Sequence, residues 1–83
     1  MNVTSRKVEQ RTESVLKFIA EFVDENGFAP SYREICAGTE LHSTSTARAY
    51  ILKLEQLGYV VFRNGPRKIV MTDDGWKKVG MRT

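Results

Sequence analysis

The feature that most constrains this chain is the break at residues 26–34, Asn26-Gly27-Phe28-Ala29-Pro30-Ser31-Tyr32-Arg33-Glu34. Asn26-Gly27 is a helix stop, since glycine reaches the left-handed conformation that ends a helix without steric cost. Ala29 precedes a proline, and a residue in that position avoids the helical region, so the next stretch is extended. Ser31 and Glu34 then stand at capping-box spacing. The serine hydroxyl and the glutamate carboxylate each accept a backbone N–H that the first helical turn would leave unpaired. The chain is thus cut into a helix, an extended link and a second helix.

Upstream of the break, Val15, Ile19 and Phe22 form one stripe, flanked by Leu16, Phe18 and Val23, while Glu13, Lys17, Glu21, Asp24 and Glu25 fill the other side. This spacing predicts an amphipathic helix from Ser5 or Val8 to Glu25, with residues 1–7 flexible. The second helix is predicted from Tyr32 to about Gly38, with Gly38-Thr39-Glu40 as the turn and Leu41 as an apolar anchor. Four hydroxyl residues follow, Ser43, Thr44, Ser45 and Thr46, and they run into Ala47, Tyr50, Ile51, Leu54 and Leu57 at helical spacing. A third helix capped by Ser43 or Thr44 is expected, with those apolar residues inward and Gly58 ending it. Ser45, Arg48, Ala49, Leu52 and Gln56 then point outward, with Thr46 and Lys53 at the margin. Tyr59-Val60-Val61-Phe62 and Lys68-Ile69-Val70-Met71 read as two strands joined through the Asn64-Gly65 turn signal. Thr72 to Val79 can form a last helical turn, capped by Thr72 with acids first and lysines last.

At 83 residues the chain is long enough for one small domain over 1–83, in which 72–83 is a C-terminal extension. Its apolar runs are short and its N-terminus has no signal-peptide stretch, so no membrane partner and a cytoplasmic address are expected. The single cysteine, Cys36, rules out an internal disulfide and reads as a small buried thiol; the single histidine, His42, reads as a polar residue near a helix start. No cofactor, metal or catalytic residue is expected. Asp73-Asp74 is the only Asp-Asp pair, and adjacent residues on a helix do not face one site. Charge is unevenly placed: residues 1–41 carry five Lys/Arg against seven Asp/Glu, whereas residues 42–72 carry five against one. The basic second half suits a surface facing a polyanion, although a solvated charged face has the same composition.

This order of elements predicts a mainly α fold with a small β-hairpin (α+β), a three-helix winged helix-turn-helix. In that layout the second helix of the motif enters the major groove with its N-terminal residues at base edges, and flanking parts hold phosphates. Hydroxyl groups at a helix start can donate or accept there, and the helix N-terminus attracts phosphate. The plainer reading, an N-cap with polar neighbours, stands beside it.

The stretch GFAPSYREICAGTELHSTSTARAYILKLEQLGYVVFRNGPRKI resembles the DNA-binding domain of the LexA family of bacterial repressors, with their G-x-P-P-[ST]-x-R-E-I segment, K-L-E-x-x-G-Y-[IV] helix end and P-R-x-I wing. The resemblance implies that Ser45, Thr46, Arg48 and Ala49 read bases. It places Ser43 near the phosphate backbone and Asn64, Gly65 and Arg67 in a wing at the minor groove. It also implies a homodimer on a two-fold symmetric operator. Thr44, Lys53, Arg63 and Lys68 complete the expected backbone contacts. Thr39 and Glu40 stand where the family usually has an apolar residue and a turn glycine, Thr44 replaces a common proline, and Arg48-Ala49 departs from typical members. The operator therefore need not be the family's SOS box. The family's peptidase nucleophile and base have no counterpart in these residues, so no self-cleavage is expected, and residues 72–83 are the candidate for a self-association surface.

Two functions follow. The leading expectation is a sequence-specific double-stranded DNA-binding regulator, a repressor acting by operator occupancy, of the kind common in phages and other mobile elements. The alternative is a protein-interaction module with the same fold, an antagonist or decoy of another regulator, supported by outward Leu52 and tail Trp76; the plainer and stronger readings of these two are that the wing covers Leu52 and that Trp76 closes the core against the first helix.

Overall fold

The computed structural model describes residues 3–63 and 68–81, with side chains of the first helix from Glu9 onward. Its elements run α1 (Val3–Asn26), α2 (Tyr32–Gly38), α3 (Thr44–Gln56), β1 (Val60–Phe62), β2 (Ile69–Met71) and α4 (Asp73–Val79). This is the winged helix-turn-helix layout, with α4 as a fourth helix after the hairpin. Helix α1 starts earlier than the expected Ser5 or Val8, since no proline or glycine interrupts Val3 to Lys7.

Local chemistry sets the helix boundaries. Gly27 has φ 79° and its N–H donates to the Val23 carbonyl, which closes α1 as glycine does best. The capping box of α2 is fully formed: the Glu34 N–H donates to Ser31 Oγ at 3.2 Å, and the Ser31 N–H donates to Glu34 Oε1 at 2.8 Å. Thr72 caps α4 by accepting the Gly75 N–H at 3.0 Å, and its own hydroxyl donates to the Gly58 carbonyl at 2.7 Å. That second bond ties the end of the hairpin to the end of α3.

The core draws on every element: Val15, Leu16, Ile19 and Ala20 of α1, Ile35 of α2, Ala47, Ile51 and Leu54 of α3, Val60, Ile69 and Met71 of the strands, and Trp76 of α4. Each fully buried Leu or Ile contributes about 1.5–3 kcal/mol relative to an exposed one. The strands pair antiparallel with Val60 opposite Met71, Val61 opposite Val70 and Phe62 opposite Ile69.

Three expectations are corrected, and the plainer reading of Trp76 holds: it is only 6% exposed and closes the core. Leu57 is 49% exposed rather than on the core face, because α3 stops at Gln56 and Leu57 is already its cap. Cys36 is half-buried, at the margin of the short turn that buries Ile35. Gly38 belongs to α2 and not to the turn: the Phe18 ring occupies the space that its Cβ would need. The turn is made instead by Thr39, whose hydroxyl donates to the Ile35 carbonyl at 2.7 Å and accepts the Leu41 N–H at 3.4 Å.

Candidate nucleic-acid interface

The site is built on α3. Ser43 lies outside the helix with extended backbone, and its Oγ accepts the Thr46 N–H at 3.2 Å. The Ser43 and Thr46 hydroxyls also lie 2.9 Å apart in a hydrogen bond. Two of the four hydroxyls are thereby committed to the cap, while Thr44 and Ser45 are exposed and form no side-chain hydrogen bond among the described residues. A cap of this kind stabilises a helix by about 1 kcal/mol. It also holds the free N–H groups of the first turn outward, where they favour an anion.

Behind this front Ala47, Ile51 and Leu54 are 0–1% exposed and hold the helix to α1, α2 and β1. The opposite face presents Ser45, Arg48, Ala49 and Leu52, all exposed. These residues are three or four apart, so they form one strip two turns long. Small side chains at Ser45 and Ala49 let another surface approach the helix backbone. Arg48 supplies a charged fork with five donors. The margins of the strip differ. Thr46 and Lys53 lie toward α1, where Lys53 lines a groove with Glu9, Glu13, Leu57, Tyr59 and Lys78. Arg48 lies on the side that carries Glu55.

That side is where the hairpin attaches. Glu55 Oε2 accepts the Phe62 N–H at 3.2 Å, a bond from α3 to strand β1. Phe62 stacks on Tyr32 of α2, with centroids 6.4 Å apart and planes inclined by 17°. The Lys68 ammonium lies 6.0 Å from the centre of the Phe62 ring. Burial pushes the Tyr32 phenol above its ordinary pKa, and the nearby positive charge of Arg48 opposes that shift. Arg63 is exposed where the hairpin leaves β1, and its N–H donates to the Lys68 carbonyl at 2.7 Å. Arg63 and Lys68 therefore stand side by side at the base of the wing. Asn64, Gly65 and Arg67, the predicted wing residues, lie outside the described residues.

Sequence reasoning missed Tyr32, Glu55 and Phe62. For Glu55 a signal existed, since it is the only acid between residues 42 and 72. The carboxylate accepts a strand N–H and so marks where the hairpin meets α3. Among the described residues no group of three or more His, Cys, Asp or Glu is placed to hold a metal ion, and no helix is long and apolar enough to cross a membrane.

A family model described as the LexA DNA binding domain matches residues 5–68. The chain is 36% identical to the LexA repressor of Enterococcus faecalis over 99% of its own length and 40% of the relative's. It is 39% identical to the LexA repressor of Lactiplantibacillus plantarum over 95% of this chain and 38% of that one. Over 55% of the chain it reaches 50% identity with the LexA repressor of Moorella thermoacetica, covering 22% of that protein. The chain thus spans at most about two fifths of the curated relatives it matches. A crystal structure of a hypothetical protein shares the fold with a TM-score of 0.73 and 27% identity, over 83% of this chain and 22% of that one.

Proposed function

Because the chain belongs to the LexA DNA-binding-domain family, with residues 5–68 matched, we propose that it is a sequence-specific double-stranded DNA-binding regulator, a cytoplasmic repressor that acts by occupying its operator. The matched region is a DNA-binding domain and not a catalytic one. The observation that carries the reading is the exposed strip Ser45, Arg48, Ala49 and Leu52 behind a capped helix start, flanked by Arg63 and Lys68. Ser45 supplies a hydroxyl to base edges, Thr46, its own hydroxyl bonded to Ser43, offers its methyl group beside it, Arg48 bridges guanine O6 and N7, and Leu52 and Ala49 pack against thymine methyl groups. Ser43, Thr44, Lys53, Arg63 and Lys68, with the wing residues Asn64, Gly65 and Arg67, hold the phosphates and the minor groove. One such strip makes few base contacts, so two copies bind a symmetric site with half-sites about one helical turn apart.

The alternative, a protein-interaction module of the same fold, is weakened by the burial of Trp76 in the core. Leu52, 44% exposed, is its remaining support, and the thymine contact accounts for that exposure as well. Selection of bound sequences from a random duplex library, followed by anisotropy titrations across salt, separates the two. A DNA-binding regulator enriches a two-fold symmetric motif and binds random duplex more weakly, with affinity falling as salt rises. A chain that binds no duplex even at low ionic strength is not this regulator.

A further inference from the structure

Three exposed elements must keep a fixed relation for an Arg48-centred strip to read a groove: α2, α3 and the hairpin. The hairpin is only two strands of three residues each, and such a ribbon is marginal without support. Its inner strand is fastened to α3 by the Glu55 to Phe62 bond. That bond is solvent-exposed and holds the outer end of β1, while the base of the ribbon is seated by Val60, Ile69 and Met71 in the core and by the Thr72 hydroxyl on the Gly58 carbonyl. A further fastening at the outer end is aromatic. Tyr32 is the first residue of α2, immediately after the Ser31 cap, so its backbone is pinned by the capping box on one side and by the helix on the other. Its ring lies nearly parallel to that of Phe62, the last residue of β1, with Lys68 of the opposite strand within cation–π range of the same Phe62 ring. Arg48 is close enough to the Tyr32 hydroxyl for its charge to be felt there.

We infer that Tyr32 is a positioning residue for DNA reading: its ring, stacked on Phe62, sets the angle of the wing, and with it Arg63 and Lys68, against the recognition helix. The inference rests on the DNA-binding reading above. The ring carries the role, since the stack is made by its face, and the hydroxyl is dispensable. The family motif does not foresee it, since its [ST]-x-R-E-I segment leaves this position open, and Tyr32 fills it here with a large planar side chain.

The test uses the whole chain with two probes, the duplex selected by the unmodified protein and a random duplex of equal length. Tyr32→Ala is expected to weaken binding to the selected duplex by about tenfold, the upper range for loss of an aromatic pair, while changing random-duplex binding by less than about twofold. Tyr32→Phe keeps the discrimination of the unmodified chain. In the double variant Tyr32→Ala/Arg48→Ala the discrimination falls no lower than in Arg48→Ala, because the wing angle bears on specificity only through the docking of Arg48 at its base. Phe62→Leu, which keeps apolar bulk and removes the stack, gives the same loss as Tyr32→Ala and serves where that variant melts too low. Unchanged discrimination in Tyr32→Ala or in Phe62→Leu overturns the inference alone, as does a double variant that multiplies the two single losses. Absence of salt-dependent binding by the unmodified chain overturns the DNA-binding reading and this inference with it.

Discussion

Helices α1 and α3 bury apolar stripes of the same kind and differ in what they turn outward. Val15, Leu16 and Ile19 on one, and Ala47, Ile51 and Leu54 on the other, are all 0–1% exposed. Away from the core α1 presents Glu13, Lys17, Glu21, Asp24 and Glu25, a mixed and mostly acidic exposed surface whose Glu13 pairs with Lys78 of α4 at 3.4 Å. Helix α3 presents small, hydroxyl and basic groups, and its one acid, Glu55, is bonded to the wing. Amphipathicity therefore explains the fold of both helices and the function of neither. The informative residues are those whose exposure the fold does not need.

Variants that break this contrast have effects that fall in order. The largest is expected in the shared apolar stripe. Leu54→Ala removes a side chain with no exposed surface and should cost about 2–5 kcal/mol in a denaturant melt, with loss of DNA binding only as the folded fraction falls. Arg48→Ala comes next and acts in the opposite way. It should leave the melt within about 0.5 kcal/mol and cost about 1–3 kcal/mol on the selected duplex; equal losses on selected and random duplex would remove its base-reading role. Arg63→Ala should weaken both duplexes alike and flatten the salt slope by about 1, as a titration across salt concentrations reads directly. Ser43→Ala tests whether the hydroxyl run is first a cap: about 1 kcal/mol of stability should go with the bond to Thr46, measured by thermal unfolding. The smallest effect belongs to the acidic face of α1. Glu21→Gln should move neither the melt nor the affinity by more than about 0.5 kcal/mol, and a larger change in affinity would mean that α1 also faces DNA.

Legibility in the sequence followed the range of the interactions. The breaks at Gly27 and Gly58, the box of Ser31 and Glu34, and the caps of Ser43 and Thr72 are satisfied within three or four residues, so the residues themselves carry the information. The outward strip of α3 was equally legible, since periodicity alone sorts a helix into faces. Leu57 was misjudged because the same periodicity continues past the last residue that is still helical. Gly38 looked like a turn glycine, whereas its lack of a side chain is required by Phe18, twenty positions earlier in the chain.

By itself, the sequence determined the stop of α1 at Gly27 and the caps of α2, α3 and α4, which faces are apolar, and which hydroxyl and basic groups are left for a partner; each is a matter of local spacing and backbone hydrogen bonding. Only the tertiary structure decided that Trp76 seals the core, that Glu55 is spent on the wing, and that Tyr32, Phe62 and Lys68 meet beside Arg48. Those contacts join residues far apart in the chain, and their existence depends on the angles at which packed helices and strands cross, which no short stretch of sequence encodes.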